Sequence, residues 1–226
     1  MFFCHWPPCG TIRTVALFMA MDGLSGREGI HRGMILVLIG RSGSGKSAVA
    51  AGLAVRWGYS EAKSCTTRKR RDGEDAGAYT FLTDEEFDGW IREGRFAEWN
   101  AYGSGLYGTP KSELDRDGLI VCVMSTEGAR DIKAAFPDAF VVHVEADMKT
   151  SVVRAVLREP DMDPGKMKRI SDRAIMDSGI YAHPQCDAVV ANDGSRPVWE
   201  VAEEVARFHA AFAEGRLEQA AGEAAP

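Results

Sequence analysis

Eight consecutive residues combine three glycines with a lysine and a serine in the pattern G-x-x-x-x-G-K-[ST]. Glycines let the backbone wrap with its N–H groups pointing inward, and a helix that follows adds its positive N-terminal end. Lys46 can then reach the β- and γ-phosphates of a nucleotide, and the Ser47 hydroxyl can hold Mg²⁺. By itself the pattern does not choose between a kinase, a GTPase and a motor. It predicts a nucleoside triphosphate site made of Gly40, Arg41, Ser42, Gly43, Ser44, Gly45, Lys46 and Ser47.

The elements on either side of this pattern are those that it requires. Residues 34–39 form a continuous apolar run with β-branched side chains, which is typical of a central parallel strand covered on both faces. A helical stretch follows at 46–56, and further buried strands are predicted at 119–124, 140–144 and 186–191. Because strands alternate with helical stretches, the sequence predicts a doubly wound α/β fold with a parallel sheet.

Two further helices have recognisable N-termini. Thr83 and Glu86 form a capping box, and Ser195 and Pro197 open a C-terminal helix with apolar residues at steps of three and four. After about Gly215 the chain is rich in Ala, Glu and Gly, and we expect it to fray.

A second group of polar and aromatic residues follows the first helix. Its order and spacing resemble those of the guanylate kinase family, whose members carry a similar run of Ser, Thr-Thr-Arg, Arg, Gly-Glu, Gly and Tyr, then Phe-x-Glu, then Tyr-Gly-Ser/Thr. The resemblance extends from about residue 34 to about residue 211, which is most of the chain. The residues that carry it are Ser64, Thr66, Thr67, Arg68, Arg71, Gly73, Glu74, Gly77, Tyr79, Phe96, Glu98, Tyr107, Gly108 and Thr109.

These residue types suit a nucleoside monophosphate acceptor. Arg68 and Arg71 are three residues apart and can converge on one phosphate, to which Tyr79 and Tyr107 can each donate a hydrogen bond. Guanine presents N1–H and a 2-amino group together, so that the Glu98 carboxylate can accept from both. Ser64 and Thr109 can donate to guanine O6 or N7. Taken alone, the basic run could also be a solvated face or a nucleic-acid patch, and Tyr79 could simply alternate in a half-buried strand.

Four arginines surround a proline-containing loop further along the chain. The step of eleven residues from Arg158 to Arg169 resembles the guanylate kinase lid, in which arginines close over ATP and neutralise charge on the transferring group. The resemblance implies catalytic roles for Arg154, Arg158 and Arg169, whereas Arg173 could well be an ordinary helix-surface charge. Asn192 and Asp193 together resemble the Asn-Asp segment that lies near the adenine in the family. A plain turn would have a similar composition.

The chain departs from the family pattern at three places. Arg70 stands where the family usually has proline, and one residue is missing from the loop before Tyr79. Val123 and Ser125 occupy the places where the family usually carries two aspartates, which help to organise the acceptor base. A partial substitution by Glu127, with a different geometry, is one hypothesis for this site.

The bulk composition limits the partners and the compartment. The net charge is -6, which gives no general attraction to nucleic acid or anionic lipid. The longest apolar run near the N-terminus, at 15–21, is too short to span a membrane and only faintly resembles a signal peptide. Five cysteines without a Cys-x-x-Cys pair favour a reducing cytoplasm. We expect a monomer or a homodimer that binds small nucleotides, and neither nucleic acid nor membrane.

The leading hypothesis is a P-loop kinase that uses ATP and Mg²⁺ to phosphorylate GMP or dGMP. A ribose 1,5-bisphosphate phosphokinase is the alternative enzyme, because that related family also lacks the paired aspartates and also shows an Asn-Asp-Gly-like stretch. A non-catalytic guanylate kinase-like interaction module is a third hypothesis, against which the complete P-loop argues.

The resemblance also implies a division of the chain. The expected parts are an N-terminal extension at 1–33, a kinase-like domain at 34–216 and a flexible tail at 217–226. Within the domain we expect a parallel-sheet core at 34–62, 119–149 and 186–216, an acceptor-binding segment at 63–118 and a lid segment at 150–185.

Overall fold

The computed structural model describes residues 33–70, 74–103, 105–159 and 161–223. Arg71 and residues 1–32 of the expected extension lie outside these ranges. The described strands are β1 (Met34–Ile39), β2 (Ser60–Glu61), β3 (Cys65–Thr66), β4 (Thr80–Phe81), β5 (Phe96–Tyr102), β6 (Gly105–Pro110), β7 (Leu119–Val123), β8 (Phe140–Glu145) and β9 (Ala188–Ala191). The described helices are α1 (Lys46–Trp57), α2 (Asp84–Arg92), α3 (Lys111–Leu114), α4 (Thr126–Ala135), α5 (Met148–Leu157), α6 (Pro164–Ile180) and α7 (Val198–Glu223).

The core sheet is parallel, as the alternation of strands and helices predicted. Its strands lie in the order β2-β7-β1-β8-β9, with Leu36 of β1 opposite Val121 and Phe140. One face of β1 packs in an apolar cluster with Ile132 of α4 and Tyr181, which follows α6. On the other side of the domain α1 contacts α7. Because β1 is covered in this way, its C-terminal end holds the loop that follows in a fixed position.

The ends of two predicted elements differ from expectation. The strand predicted at 186–191 begins only at Ala188, because the carboxylate of Asp187 bonds the Val141 backbone nitrogen and the Lys133 side chain. Helix α7 continues beyond Gly215, where the composition predicts fraying, to Glu223.

A second, four-stranded sheet lies within the segment predicted to bind the acceptor. Its order is β4-β3-β6-β5, and β6 is antiparallel to both of its neighbours. The sheet has a small core of its own, made of Cys65, Phe87 and Phe96. Helix α2 begins with the predicted capping box, in which Thr83 and Glu86 bond each other's backbone nitrogens.

The segment predicted as a lid forms a helical pair. Helices α5 and α6 contact each other, and each begins at an aspartate, Asp147 or Asp163, whose side chain accepts a backbone N–H of the first turn. Pro164 occupies the first position of α6, where its missing N–H has no cost.

Candidate nucleotide-binding site

The turn between β1 and α1 forms the predicted phosphate loop. A Cβ atom at Gly43, where φ is 87°, would overlap the backbone carbonyl of Ser151 on α5. A Cβ atom at Gly45, where φ is 95°, would overlap the side-chain amide of Asn192. Both positions therefore require glycine, because the backbone conformation and the lack of space each exclude a side chain.

Asn192 supports this loop from the end of β9. Its side chain is buried, and its Nδ2 atom donates a hydrogen bond of 2.7 Å to the Ser44 carbonyl oxygen. The backbone oxygen of Asn192 accepts a bond of 2.7 Å from Arg154 Nη1. The side-chain amide thus holds the loop in place, and a contact of Asn192 with the adenine stays a prediction.

Lys46 is folded back on the loop that it follows. Its Nζ atom donates to the carbonyl oxygens of Gly40, at 2.5 Å, and Arg41, at 3.0 Å. Burial lowers the pKa of Lys46 to about 8; the charge of Asp177 opposes this shift, and those of Arg158 and Arg173 add to it. Lys46 therefore lies among charged groups of the lid segment.

A carboxylate of the lid segment binds the phosphate loop directly. Asp177 on α6 is 1% exposed, and its Oδ2 atom accepts a hydrogen bond of 2.7 Å from the Ser42 backbone nitrogen. Its Oδ1 atom lies 3.4 Å from the Tyr102 hydroxyl, which donates to it from the last position of β5. Asp177 thus joins the loop to the second sheet. No spacing pattern marks Asp177 in the sequence, because its partner in the loop lies 135 positions away.

The predicted acceptor-phosphate residues meet on the second sheet. The Nε atom of Arg68 donates to the Tyr107 hydroxyl at 3.1 Å, and its two terminal nitrogens bond the Glu74 carboxylate at 2.8 and 2.9 Å. The Arg68 guanidinium lies 5.3 Å from the centre of the Tyr79 ring, which packs edge-on against Tyr107 at 6.0 Å. Tyr107 in turn lies 6.1 Å from Tyr102, which leads back to Asp177 and the phosphate loop.

Two of the three predicted base-recognition residues, Glu98 and Thr109, also meet. Glu98 is 7% exposed, and its Oε1 atom accepts a hydrogen bond of 2.6 Å from the Thr109 hydroxyl. Its Oε2 atom accepts a bond of 3.2 Å from Asn100 Nδ2. Burial raises the pKa of Glu98, whereas the bond from Thr109 lowers it. Thr109 is therefore a support of Glu98 in this structure, and its contact with guanine stays a prediction.

Ser125 has a defined place beside this carboxylate. Its hydroxyl accepts the Gly128 backbone N–H at 3.1 Å as the N-cap of α4, and it also lies 3.3 Å from Asn100 Nδ2. Val123, at the other family aspartate position, is the last residue of β7 and is half-buried. The sequence does not mark Asn100 as a site residue, because Asn100 belongs to none of the motifs.

The four arginines of the predicted lid lie in different surroundings. Arg154 contacts the loop after β9 through Asn192, while Arg158 is exposed at the end of α5 and donates to the Arg154 carbonyl oxygen at 3.3 Å. Arg169 is exposed near Asp163.

Arg173 is not the ordinary surface charge that the sequence allowed. Its guanidinium stacks 3.7 Å from the centre of the Tyr102 ring. Its Nη1 atom is buried without a hydrogen-bond partner in the described part of the chain.

The remaining predicted residues lie at the edges of the site. Ser47 is exposed in the first turn of α1, and Arg41 is half-buried in the loop. The backbone oxygen of Ser64 accepts the Thr80 N–H at 2.9 Å, which places Ser64 at the start of β3. The binding roles of all three stay predictions.

The fold and the loop together define a class. A parallel sheet whose first strand leads through a glycine-rich loop into a helix is the P-loop nucleotide-binding fold. The family model described as guanylate kinase matches residues 32–207 of the chain. The chain therefore belongs to the guanylate kinase family.

Individual relatives agree with this assignment. A guanylate kinase of Rubrobacter xylanophilus is 34% identical over 171 residues, which cover 73% of this chain and 88% of that protein. A guanylate kinase of Synechocystis is 32% identical over 173 residues, with 72% and 87% covered. The crystal structure of guanylate kinase from Anaplasma phagocytophilum aligns with a TM-score of 0.58 at 21% identity, covering 79% of this chain and 85% of that one. The predicted family, fold class and kind of enzyme are confirmed.

Proposed function

We propose that the protein transfers the γ-phosphoryl group of ATP to GMP, or to dGMP, by in-line displacement. The observation that carries this proposal is the buried carboxylate of Glu98, held by Thr109 and Asn100 on the sheet that also carries Arg68 and Tyr107. A carboxylate with two fixed oxygens suits a base edge with two adjacent N–H donors, and a sugar phosphate offers no such edge.

The chain's own residues act mainly by positioning and by charge. Arg68, Tyr107 and Tyr79 bind the acceptor phosphate, which is already a dianion near neutral pH, so that the attack needs no general base. The backbone N–H groups of the phosphate loop and Lys46 hold the donor phosphates. Arg154, Arg158 and Arg169 neutralise charge on the transferring group and exclude water when the lid segment closes.

Ser47 is the residue that fits Mg²⁺. This ion keeps several waters and takes few protein ligands beside substrate phosphates. The Ser47 hydroxyl is an oxygen donor next to Lys46, and its exposure leaves space for the water shell. When bound there, Mg²⁺ neutralises charge on the β- and γ-phosphate oxygens.

The proposal also gives a role to two segments of the chain and a cellular compartment to the protein. Residues 63–118 bind the acceptor, residues 150–185 act as the lid, and the protein acts in purine nucleotide metabolism as a monomer or a homodimer. Cys65, Cys122 and Cys186 are free thiols, which suits a reducing cytoplasm. Among the described residues, no helix is both long and apolar enough to cross a bilayer.

The test is a panel of acceptors. The purified protein is incubated with MgATP and GMP, dGMP, AMP, CMP, UMP or ribose 1,5-bisphosphate, and ADP release is followed. We expect turnover with GMP and dGMP. Turnover with the sugar bisphosphate alone would replace this proposal by the alternative phosphokinase, and nucleotide binding without turnover would indicate an interaction module.

Two variants locate the activity in the proposed site. Lys46→Ala is expected to abolish transfer, because it removes the cation nearest to the donor phosphates. Glu98→Ala is expected mainly to weaken the preference for guanine over other bases. An unchanged rate in the first variant, or an unchanged base preference in the second, would contradict the corresponding role.

A further inference from the structure

Asn100 connects the acceptor sheet to the core beside the base-recognition carboxylate. It follows Glu98 by two positions on β5, so both side chains point to the same face of the strand. Its Nδ2 atom lies 3.2 Å from Glu98 Oε2 and 3.3 Å from Ser125 Oγ. Ser125 is itself fixed, because its hydroxyl accepts the Gly128 N–H at the start of α4. The Asn100 amide is therefore held between two anchored groups.

Burial and one nearby carboxylate disfavour the ionised form of Glu98. Burial raises the pKa of Glu98, and Asp131 on α4 raises it further. Cys122, on the neighbouring β7, is a buried thiol whose own pKa is raised by burial. From α3, which also packs against β5, Glu113 is paired with Arg116 at 3.1 Å. The bonds from Thr109 act in the opposite direction, and the Asn100 amide is a further neutral donor, 3.2 Å from Glu98 Oε2.

The side chain of residue 125 determines the charge next to Asn100 and Glu98. An aspartate there, as in the family pattern, would place a second carboxylate near Glu98, and neighbouring carboxylates raise each other's pKa. Ser125 adds no charge, and it leaves the amide of Asn100 as the group that bridges Glu98 and α4. Gly128 keeps this arrangement tight, because a Cβ atom there would lie 2.9 Å from Glu98 Oε2.

We propose that Asn100 is the positioning residue for base specificity: its amide, held against Ser125, fixes the orientation of the Glu98 carboxylate so that the acceptor base must present N–H donors. This inference rests on the proposed function and deepens it. It defines the acceptor class as purine monophosphates with N1–H, with the 2-amino group of guanine providing the second donor. With the carboxylate protonated, the site would instead donate, which suits N1 of adenine.

The test measures GMP binding by calorimetry as well as turnover at a series of acid and neutral pH values, because burial raises the pKa of Glu98. Asn100→Ala is expected to weaken GMP binding about tenfold, as for the loss of one bond to a charged group. It should also move the acid limb of the binding profile to higher pH, with kcat little changed. Asn100→Asp should move that limb further and lower the ratio of GMP to AMP turnover.

The control carries the same side chain one position along the strand. Ala101→Asn places an amide on the exposed opposite face of β5, and we expect its profile to match that of the unchanged protein. An acid limb that stays in place in both Asn100 variants would overturn the inference and leave the proposed function intact. Failure of the unchanged protein to phosphorylate GMP would overturn the proposed function, and failure to bind GMP at any pH would overturn both.

Discussion

The Asp177 carboxylate and the Ser42 backbone nitrogen lie 2.7 Å apart, so a helix of the lid segment accepts a hydrogen bond from the phosphate loop. Inward-pointing N–H groups of such a loop are the donors that bind nucleotide phosphates. The buried carboxylate therefore competes with phosphate for one of these donors. It also supplies a negative charge close to Lys46, whose pKa it raises.

Asp177→Asn should strengthen nucleotide binding. The amide keeps the size of the side chain but removes the charge that repels phosphate, and we expect ADP to bind about tenfold more tightly, the scale of one charged hydrogen bond. Titration calorimetry with ADP measures the change. Asp172→Asn, which affects only a surface pair with Lys168, is the matched control. Weaker binding in Asp177→Asn would mean that the carboxylate helps to shape the loop for the nucleotide.

The ionisation of Lys46 predicts a pH dependence of nucleotide binding. Its pKa is lowered to about 8, so the free protein holds a charged Lys46 below that pH and a neutral one above it. Phosphate binding requires the charged form, and affinity for ADP should therefore fall as the pH rises through about 8. Calorimetry in buffers of different ionisation enthalpy should reveal proton uptake on binding above this pH. Lys46→Arg, which stays charged throughout, should lose this dependence.

Arg173 is expected to contribute to turnover. It stacks on Tyr102, its buried Nη1 atom has no partner among the described residues, and its charge acts on Lys46. Arg173→Ala should lower kcat about a hundredfold, at the lower end of the range for loss of a preorganised donor. Arg173→Lys should restore little, because an ammonium lacks the planar fork. Lys168→Ala, on the exposed side of the same helix, should leave kcat unchanged. Equal rates for Arg173→Ala and the control would make Arg173 a packing residue only.

A buried histidine predicts acid sensitivity of the fold. His209 on α7 shares a hydrogen bond of 2.8 Å with the Tyr59 hydroxyl, and burial lowers its pKa to about 4. Because the folded state holds the neutral ring, its stability is complete above the ordinary histidine pKa of about 6.5 and declines as the pH falls toward about 4. The loss amounts to about 3 kcal/mol at the acid end.

Denaturant unfolding at neutral and acid pH tests this prediction. His209→Gln should be less stable at neutral pH and should lose less stability on acidification than the unchanged protein. His183→Gln, at an exposed position, serves as the control and should show the ordinary acid loss. The same acid loss in His209→Gln as in the unchanged protein would contradict the role of His209.

The sequence predicted those parts of the fold and of the site that depend on local residue patterns. The phosphate loop follows from eight adjacent residues, and the parallel sheet follows from the alternation of apolar runs with helices. A known order of motifs predicted that Arg68 and Tyr107 share a bound phosphate and that Glu98 and Thr109 share a bound base. Each of these pairs meets across two adjacent elements of one small sheet.

The residues that sequence reasoning missed depend on contacts between distant parts of the chain. Asp177 meets Tyr102 over 75 positions, and Asn100 on β5 meets Ser125, the N-cap of α4, over 25 positions. Neither asparagine nor aspartate carries a spacing that would mark such a contact in advance. Arg173 was treated as a possible surface charge because a helix of this composition has exposed arginines on several faces, and only the packing of α6 shows which one is covered.

The bond between Asn192 and Ser44 joins residues 148 positions apart in the chain. During synthesis the glycine-rich loop leaves the ribosome early, but the amide that braces it is made only after β9 has been translated. A nascent chain that stops before this point has the complete phosphate-binding motif and lacks its brace. The capacity to bind nucleotide is therefore expected to arise late in translation.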